Sequence, residues 1–236
     1  MSKLKSWPMA VAVMVVGAAV AITAFWFLGS KDMTLQATAD SMLPGIVEGD
    51  RLQVRQLPGD QVHRGDIIVF VADAWAHDNS ERGKTLAKRV IGVGGDTVAG
   101  DGDGRIQVNG KPITEEYRKK DDPNAGSLLG AFTAEVNQGD VFVAGDWRGN
   151  SRDSRLYFRD PGHGGVPQKD IKGIVVAVNG GPVVPTTAFT NAGLAGAPFH
   201  DDSASGPVRL LVMAGGLALF LGGVIWLIIA LARRKT

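Results

Sequence analysis

From Ser6 to Ser30 the chain carries no charged residue, and the same holds from Leu210 to Ala232. Each run is long enough for a hydrocarbon core that needs about 20 residues, which calls for a helix in both places. Trp7, Trp26 and Phe27 stand near the ends of the first run, where amphipathic rings favour an interface. A cleaved signal peptide has a shorter apolar core, about 7–15 residues, so a retained anchor is expected; Ala37-Thr38-Ala39 is nonetheless a triplet of the kind that precedes cleavage sites. Lys3 and Lys5 precede the first run and Arg233-Arg234-Lys235 follow the second, which puts both termini in the cytoplasm. The order expected is therefore a cytoplasmic 1–6, a transmembrane helix at 7–29, an extracytoplasmic domain at 31–180 and a tether at 181–207. A second transmembrane helix at 209–232 and a cytoplasmic tail at 233–236 complete it.

The stretch between the anchors reads as β. Short apolar runs recur between glycines and prolines, of which the chain has 32 and 11. Strands are expected at 34–37, 51–55, 67–72, 85–93, 141–144 and 171–178, with a hairpin turning at Asn109-Gly110. Residues 101–140 look like an insertion, and Gly180 to Pro207 has the Gly/Pro/Ala/Thr composition of a flexible tether. The fold class expected is mainly β: an antiparallel-sheet extracytoplasmic catalytic domain flanked by two transmembrane helices. A formal charge of +1 and no basic stripe argue against a nucleic-acid partner, and no cysteine is available as nucleophile or ligand. His63, His77, His163 and His200 show no ligand spacing, and Asp101-Gly102-Asp103-Gly104 is a turn rather than a calcium loop because Arg105 takes a ligand place. No metal and no cofactor are expected.

Chemistry concentrates in three polar stretches. Ser41, in Ala39-Asp40-Ser41-Met42-Leu43-Pro44-Gly45, has no histidine near it in sequence, and a serine hydroxyl needs a base to become a nucleophile. Lys88 is the candidate. Period-two alternation sets it between Leu86 and Val90 on one face while Arg89 points the other way, and burial among apolar side chains lowers a lysine pKa by ~3–5 units. Ser151, in the dense polar turn from Gly145 to Arg155, could hydrogen-bond the amine, and Asp153 and Arg155 could pair. Periodicity alone also fits a strand lysine that snorkels to the surface and a solvated loop.

Taken together, Ser41-Met42-Leu43-Pro44, Arg64-Gly65-Asp66-Ile67-Ile68, Lys88-Arg89-Val90-Ile91-Gly92-Val93-Gly94-Gly95-Asp96 and the stretch from Gly145-Asp146 to Asn150-Ser151-Arg152-Asp153-Ser154-Arg155 resemble, in order, the boxes of bacterial type I signal peptidases. The resemblance spans about residues 36 to 178. It implies a membrane-bound serine endopeptidase with Ser41 as nucleophile, Lys88 as general base and Ser151 hydrogen-bonded to the lysine. Met42, Pro44, Asp146, Asp153 and Arg155 would be structural residues near the site. The implied partners are exported preproteins, cut after an A-x-A-type site, the lipid bilayer of the plasma membrane and the export translocon. Three positions depart from the family pattern: Ala39, where a serine often assists the oxyanion, Gly45, where Thr or Ser is common, and Trp147, where Asn is common. These departures keep open a catalytically impaired scaffold of the export machinery, and the sequence does not separate a specialised processing peptidase from a housekeeping one.

Overall fold

The computed structural model describes residues 7–27, 32–57, 61–75, 82–120, 130–199 and 205–232. Lys3, Lys5 and Arg233-Arg234-Lys235, on which the expected orientation rests, lie outside the described residues, as do His77, His200 and residues 201–204 of the expected tether, whose last three residues, 205–207, are helical. The chain divides into two compact units, Met1–Lys31 with Asp201–Thr236, and Asp32–His200. Its helices are α1 (Trp7–Phe27), the short α2 (Ala188–Asn191) and α3 (Ser205–Ala232).

In the helical unit α1 packs on α3 through glycine. A Cβ on Gly17 would stand 2.6 Å from the Phe220 nitrogen, and one on Gly216 would stand 2.9 Å from the Gly17 oxygen. The buried positions Ala10 and Gly17 are one heptad apart, as are Gly216 and Gly223, the spacing that keeps one seam facing a partner helix. Small residues allow this close approach of backbones. By length and composition one described helix, Leu211–Ala232, is long and apolar enough to cross a membrane; the apolar run Pro8–Thr23 in α1 is shorter.

The other unit is antiparallel β. Its strands are β1 (Asp32–Gln36), β2 (Arg51–Arg55), β3 (Ile67–Val71), β4 (Thr85–Val93), β5 (Thr97–Gly100), β6 (Ile106–Val108), β7 (Lys111–Pro112), β8 (Phe132–Glu135), β9 (Asp140–Ala144), β10 (Val166–Pro167), β11 (Ile171–Val178) and β12 (Gly181–Pro182). The larger sheet runs β1-β2-β11-β3-β4-β9-β10 with β12 against β11, and the smaller runs β7-β6-β5-β8. The long β4 ties the site together. Its first five residues pair with β3, Val71 opposite Thr85 through Ile67 opposite Arg89. Its pairing with β9 begins only at Arg89 and shifts register between Val90 and Gly92. A turn at Gly94-Gly95-Asp96, with Gly95 at φ 91°, then hands the chain to the smaller sheet.

Two regions differ from expectation. The insertion contributes the short strands β6, β7 and β8, which with β5 just before it bring Val98, Ile106, Val108 and Phe132 onto Ile91 and Phe142 of the larger sheet. The expected hairpin is present, with Asn109 and Gly110 both at positive φ as a type I′ turn requires. The tether expected at 181–207 is corrected. As far as Phe199 it is docked on the β unit: Phe189 is fully buried, Leu194 joins the same cluster, Arg64 Nη1 donates to the Ala195 carbonyl at 2.6 Å, and the Phe199 N–H donates to Asp66 at 2.6 Å. Two apolar anchors and backbone bonds to two charged side chains outweigh a loop-like composition.

Candidate active site

Ser41 sits in a tight turn between β1 and β2. The Leu43 N–H donates to the Asp40 carbonyl at 3.0 Å, and the Gly45 and Ile46 N–H groups share the Met42 carbonyl at 3.1 Å each. Met42 and Ile46, each 2% exposed, pin the turn into the core beside Leu52 and Val69. Pro44 is on the exposed side, following a cis peptide bond. The Asp40 carboxylate accepts the Glu48 N–H at 2.8 Å and closes the loop.

Lys88 comes from β4, opposite Ile68. Its side chain is 3% exposed, and Nζ lies in hydrogen-bond contact with Ser41 Oγ at 2.6 Å and with the Ala87 carbonyl at 3.2 Å. Arg89 points away, as alternation requires: its guanidinium grips both oxygens of Asp146 at 2.9 and 2.7 Å, donates to the Gly65 carbonyl at 2.7 Å, and lies 4.1 Å over the Tyr117 ring.

The turn after β9 leans on the serine. Trp147 N–H donates to the Ser41 carbonyl at 3.0 Å. Asp153 accepts the Gly145 N–H at 2.9 Å and is paired with Arg155 at 2.8 and 2.9 Å. Burial pushes the Asp153 carboxyl up, but the Arg155 charge and these bonds prevail and hold it below the usual carboxylate range. Gly145 itself is boxed in: a Cβ there would stand 2.2 Å from Ser151 Oγ and 2.6 Å from the Ser41 carbonyl oxygen. Ser151 is thus brought next to Ser41, and its hydroxyl is buried. The hydrogen bond expected between Ser151 and Lys88 is not formed; the hydroxyl is turned against Gly145, close enough to Asp153 to favour that charge but without a well-formed hydrogen bond to any group.

Three residues that the sequence reading passed over complete the support. Arg148, with no side-chain exposure, donates through Nε to the Gly145 carbonyl at 2.9 Å and makes a two-pronged pair with Glu115. Tyr117 Oη donates to Glu115 at 2.6 Å. Burial pushes the Glu115 carboxyl up, yet Arg148 beside it holds it below its ordinary value. No motif could have found Glu115, because its partner is 33 residues away.

A cleft of about 140 Å³ opens onto the Ser41–Lys88 contact. Residues 35–39 and 85–88 line it, with buried Met42, Leu52 and Val69 beneath. Among the described residues β1 is an edge strand, and no strand pairs with Thr85–Lys88 on the side that β9 takes further along.

The site thus holds a serine hydroxyl in contact with a buried lysine, at the end of an apolar cleft between strand edges. A sequence model of the signal peptidase, peptidase S26 family matches residues 4–179. Among curated relatives, signal peptidase I U of Bacillus subtilis is 36% identical over 121 residues, 49% of this chain and 60% of that one. Signal peptidase I of Leptolyngbya laminosa is 35% identical over 142 residues, 58% of this chain and 64% of that one. Signal peptidase I of Bacillus licheniformis is 34% identical over 161 residues, 65% of this chain and 79% of that one. The chain thus spans somewhat less than two thirds of the first two relatives. A crystal structure of a signal peptidase I from Enterococcus faecalis aligns with a TM-score of 0.35 and 29% identity over 48% of this chain and 95% of that one. On the sequence matches, the chain belongs to the signal peptidase, peptidase S26 family.

Proposed function

We propose that the protein is a membrane-bound serine endopeptidase that removes signal peptides from exported preproteins after an A-x-A-type site. The observation that carries this reading is the 2.6 Å contact between Ser41 Oγ and the Nζ of a lysine that is 3% exposed. General-base work needs the neutral amine, and burial disfavours the ammonium form. An extended preprotein segment lies in the cleft and adds as a strand beside Thr85–Ala87 and the edge strand β1. A cleft of about 140 Å³ shared by two side-chain sites selects small residues, Ala above all, at the first and third positions before the cut. Lys88 takes the Ser41 proton as Oγ attacks the scissile carbonyl. The tetrahedral oxyanion is met by the Ser41 N–H, Ala39 offering no hydroxyl. The proton passes to the leaving amine, the mature protein departs, and a water deprotonated by Lys88 releases the signal peptide from the acyl-enzyme.

The reading places both termini in the cytoplasm and the β unit on the outer face of the plasma membrane, with α1 and α3 as two spans and the export translocon as neighbour. The glycine-to-glycine packing of α1 on α3 supports a paired anchor. The Ala37-Thr38-Ala39 triplet lines the cleft instead of occupying it, and Ala37 is bonded on both sides, to the Asp50 carbonyl and the Gly49 N–H at 2.8 Å each, which argues against cleavage of the chain by its own Ser41.

The test is cleavage of a preprotein with an A-x-A site by full-length protein in detergent. Wild type is expected to cut after the second alanine, Ser41→Ala not at all, and Lys88→Ala slower by about 10²–10⁴-fold. Near wild-type turnover by Lys88→Ala would remove the lysine from the mechanism, and an inert wild type would favour the scaffold reading.

A further inference from the structure

The segment from Glu115 to Lys119 belongs to the insertion, yet it touches both arms of the site. Toward Ser41, Glu115 holds Arg148, whose Nε donates to the Gly145 carbonyl at 2.9 Å. Gly145 is thereby fixed at both ends, its N–H by Asp153 and its carbonyl by Arg148. It is also the residue that spaces Ser41 from Ser151, since anything larger than hydrogen on its Cα would strike both. Toward Lys88, the Tyr117 ring carries the guanidinium of the adjoining Arg89 at 4.1 Å, and the Tyr117 hydroxyl returns to Glu115 at 2.6 Å. The Lys119 N–H then donates to the Asp146 carbonyl at 3.1 Å, and its Nζ lies 4.9 Å from the Trp147 ring centroid. One segment therefore contacts the neighbours of nucleophile and base together.

We propose that Glu115 is a positioning residue for the Ser41–Lys88 pair, acting through Arg148 and Gly145, with Tyr117 linking it to Arg89. The proposal rests on the peptidase reading above. Its physical basis is that Arg148 is a fully buried cation, and it keeps its one geometry only while a buried carboxylate faces it. With Glu115 uncharged, the guanidinium must seek water or another acceptor, and the Gly145 carbonyl loses its donor. The turn that abuts Ser41 is then free to drift, and displacements of about 1 Å at reacting atoms cost rates on the order of 10²-fold. Glu115 meets no lining group of the cleft, so substrate binding is not its concern.

The test compares Glu115→Gln, Tyr117→Phe and the double variant in the same preprotein assay, with thermal midpoints measured beside it. Glu115→Gln is expected to lower kcat by about 10- to 100-fold while KM stays within about twofold. Tyr117→Phe, which keeps the ring under Arg89 and loses only the hydroxyl, should lower kcat a few-fold. The double variant should match Glu115→Gln in kcat, because both changes act along one line of contacts. Unchanged kcat in Glu115→Gln, a rise confined to KM, or simple multiplication of the two effects would each overturn the proposal. If Glu115→Gln does not fold, Tyr117→Phe alone decides: full kcat overturns it and a few-fold loss with unaltered KM sustains it. An inert wild type instead sinks the peptidase reading, and is told apart by that control.

Discussion

At the scale of single residues, two glycines near Ser41 have opposite freedom. A Cβ on Gly45 would meet nothing nearer than the Met42 carbonyl at 3.8 Å, so a small side chain there is sterically permitted. Gly145 has no such space. We expect Gly45→Ser to leave cleavage and thermal midpoint near wild type. Gly145→Ala should lose about 1–3 kcal/mol of stability through overpacking and most of its activity besides. Urea titrations with parallel cleavage assays would check both, and a fully active Gly145→Ala would refute the account of the turn. Much of this residue-level chemistry was readable beforehand: alternation put Lys88 and Arg89 on opposite faces, and the structure sends them to Ser41 and Asp146 respectively. What alternation cannot show is a partner from another element. Glu115, Tyr117 and Arg148 stayed hidden for that reason, and the orientation of the Ser151 hydroxyl is a rotamer, which no sequence pattern encodes.

Among elements, the strands that were foreseen are those whose residues carry their own signal. Ile67–Val71 and Val141–Ala144 are continuous apolar runs buried on both faces, and Arg51–Arg55 alternates cleanly. The strands β5 and β8 have four residues each, too few for a period, and are held by cross-strand partners such as Val98 opposite Val108 and Ala134. The docked segment up to Phe199 misled for a different reason. Its glycines, prolines and alanines are those of a loose linker, while two side chains do the anchoring. Replacing one of them should expose this: Phe189→Ala is expected to cost about 3–5 kcal/mol, read as a lowered denaturation midpoint. A midpoint at the wild-type value would return the segment to a tether.

The molecule as a whole carries a buried charge system whose sign can be tested by pH. Glu115, Asp96 and Asp153 are all held below their ordinary values by guanidinium partners and hydrogen bonds, against the opposing effect of burial. Groups of this kind contribute stability that is complete above their unfolded pKa of about 4 and is lost as pH falls toward the folded values. Asp66 has the opposite sign. Burial raises it despite the His63 and Phe199 N–H donors, so its share is largest in acid and declines as pH rises past about 4. Among the described residues the lowered carboxyls, Asp50 with these three, outnumber the raised Asp66, so chemical denaturation should show a midpoint that drops steeply below about pH 4, and Asp153→Asn should make that drop shallower. A flat acid limb in the wild type would count against the charge system.

On the proposed function, the strand edges along the cleft have a consequence for what the protein would leave alone. An edge of unpaired N–H and C=O groups can bind only a chain whose own groups are unspent. A helix has already used them, and so has a strand inside a finished sheet. Alanine triplets are common inside mature proteins, yet once those proteins have folded, their backbones have nothing to offer at the gap between 35–39 and 85–88. On the proposed function, discrimination between a leader and the cargo it delivers would therefore begin with conformation, before any side chain is read, and the timing of cargo folding would be part of the specificity.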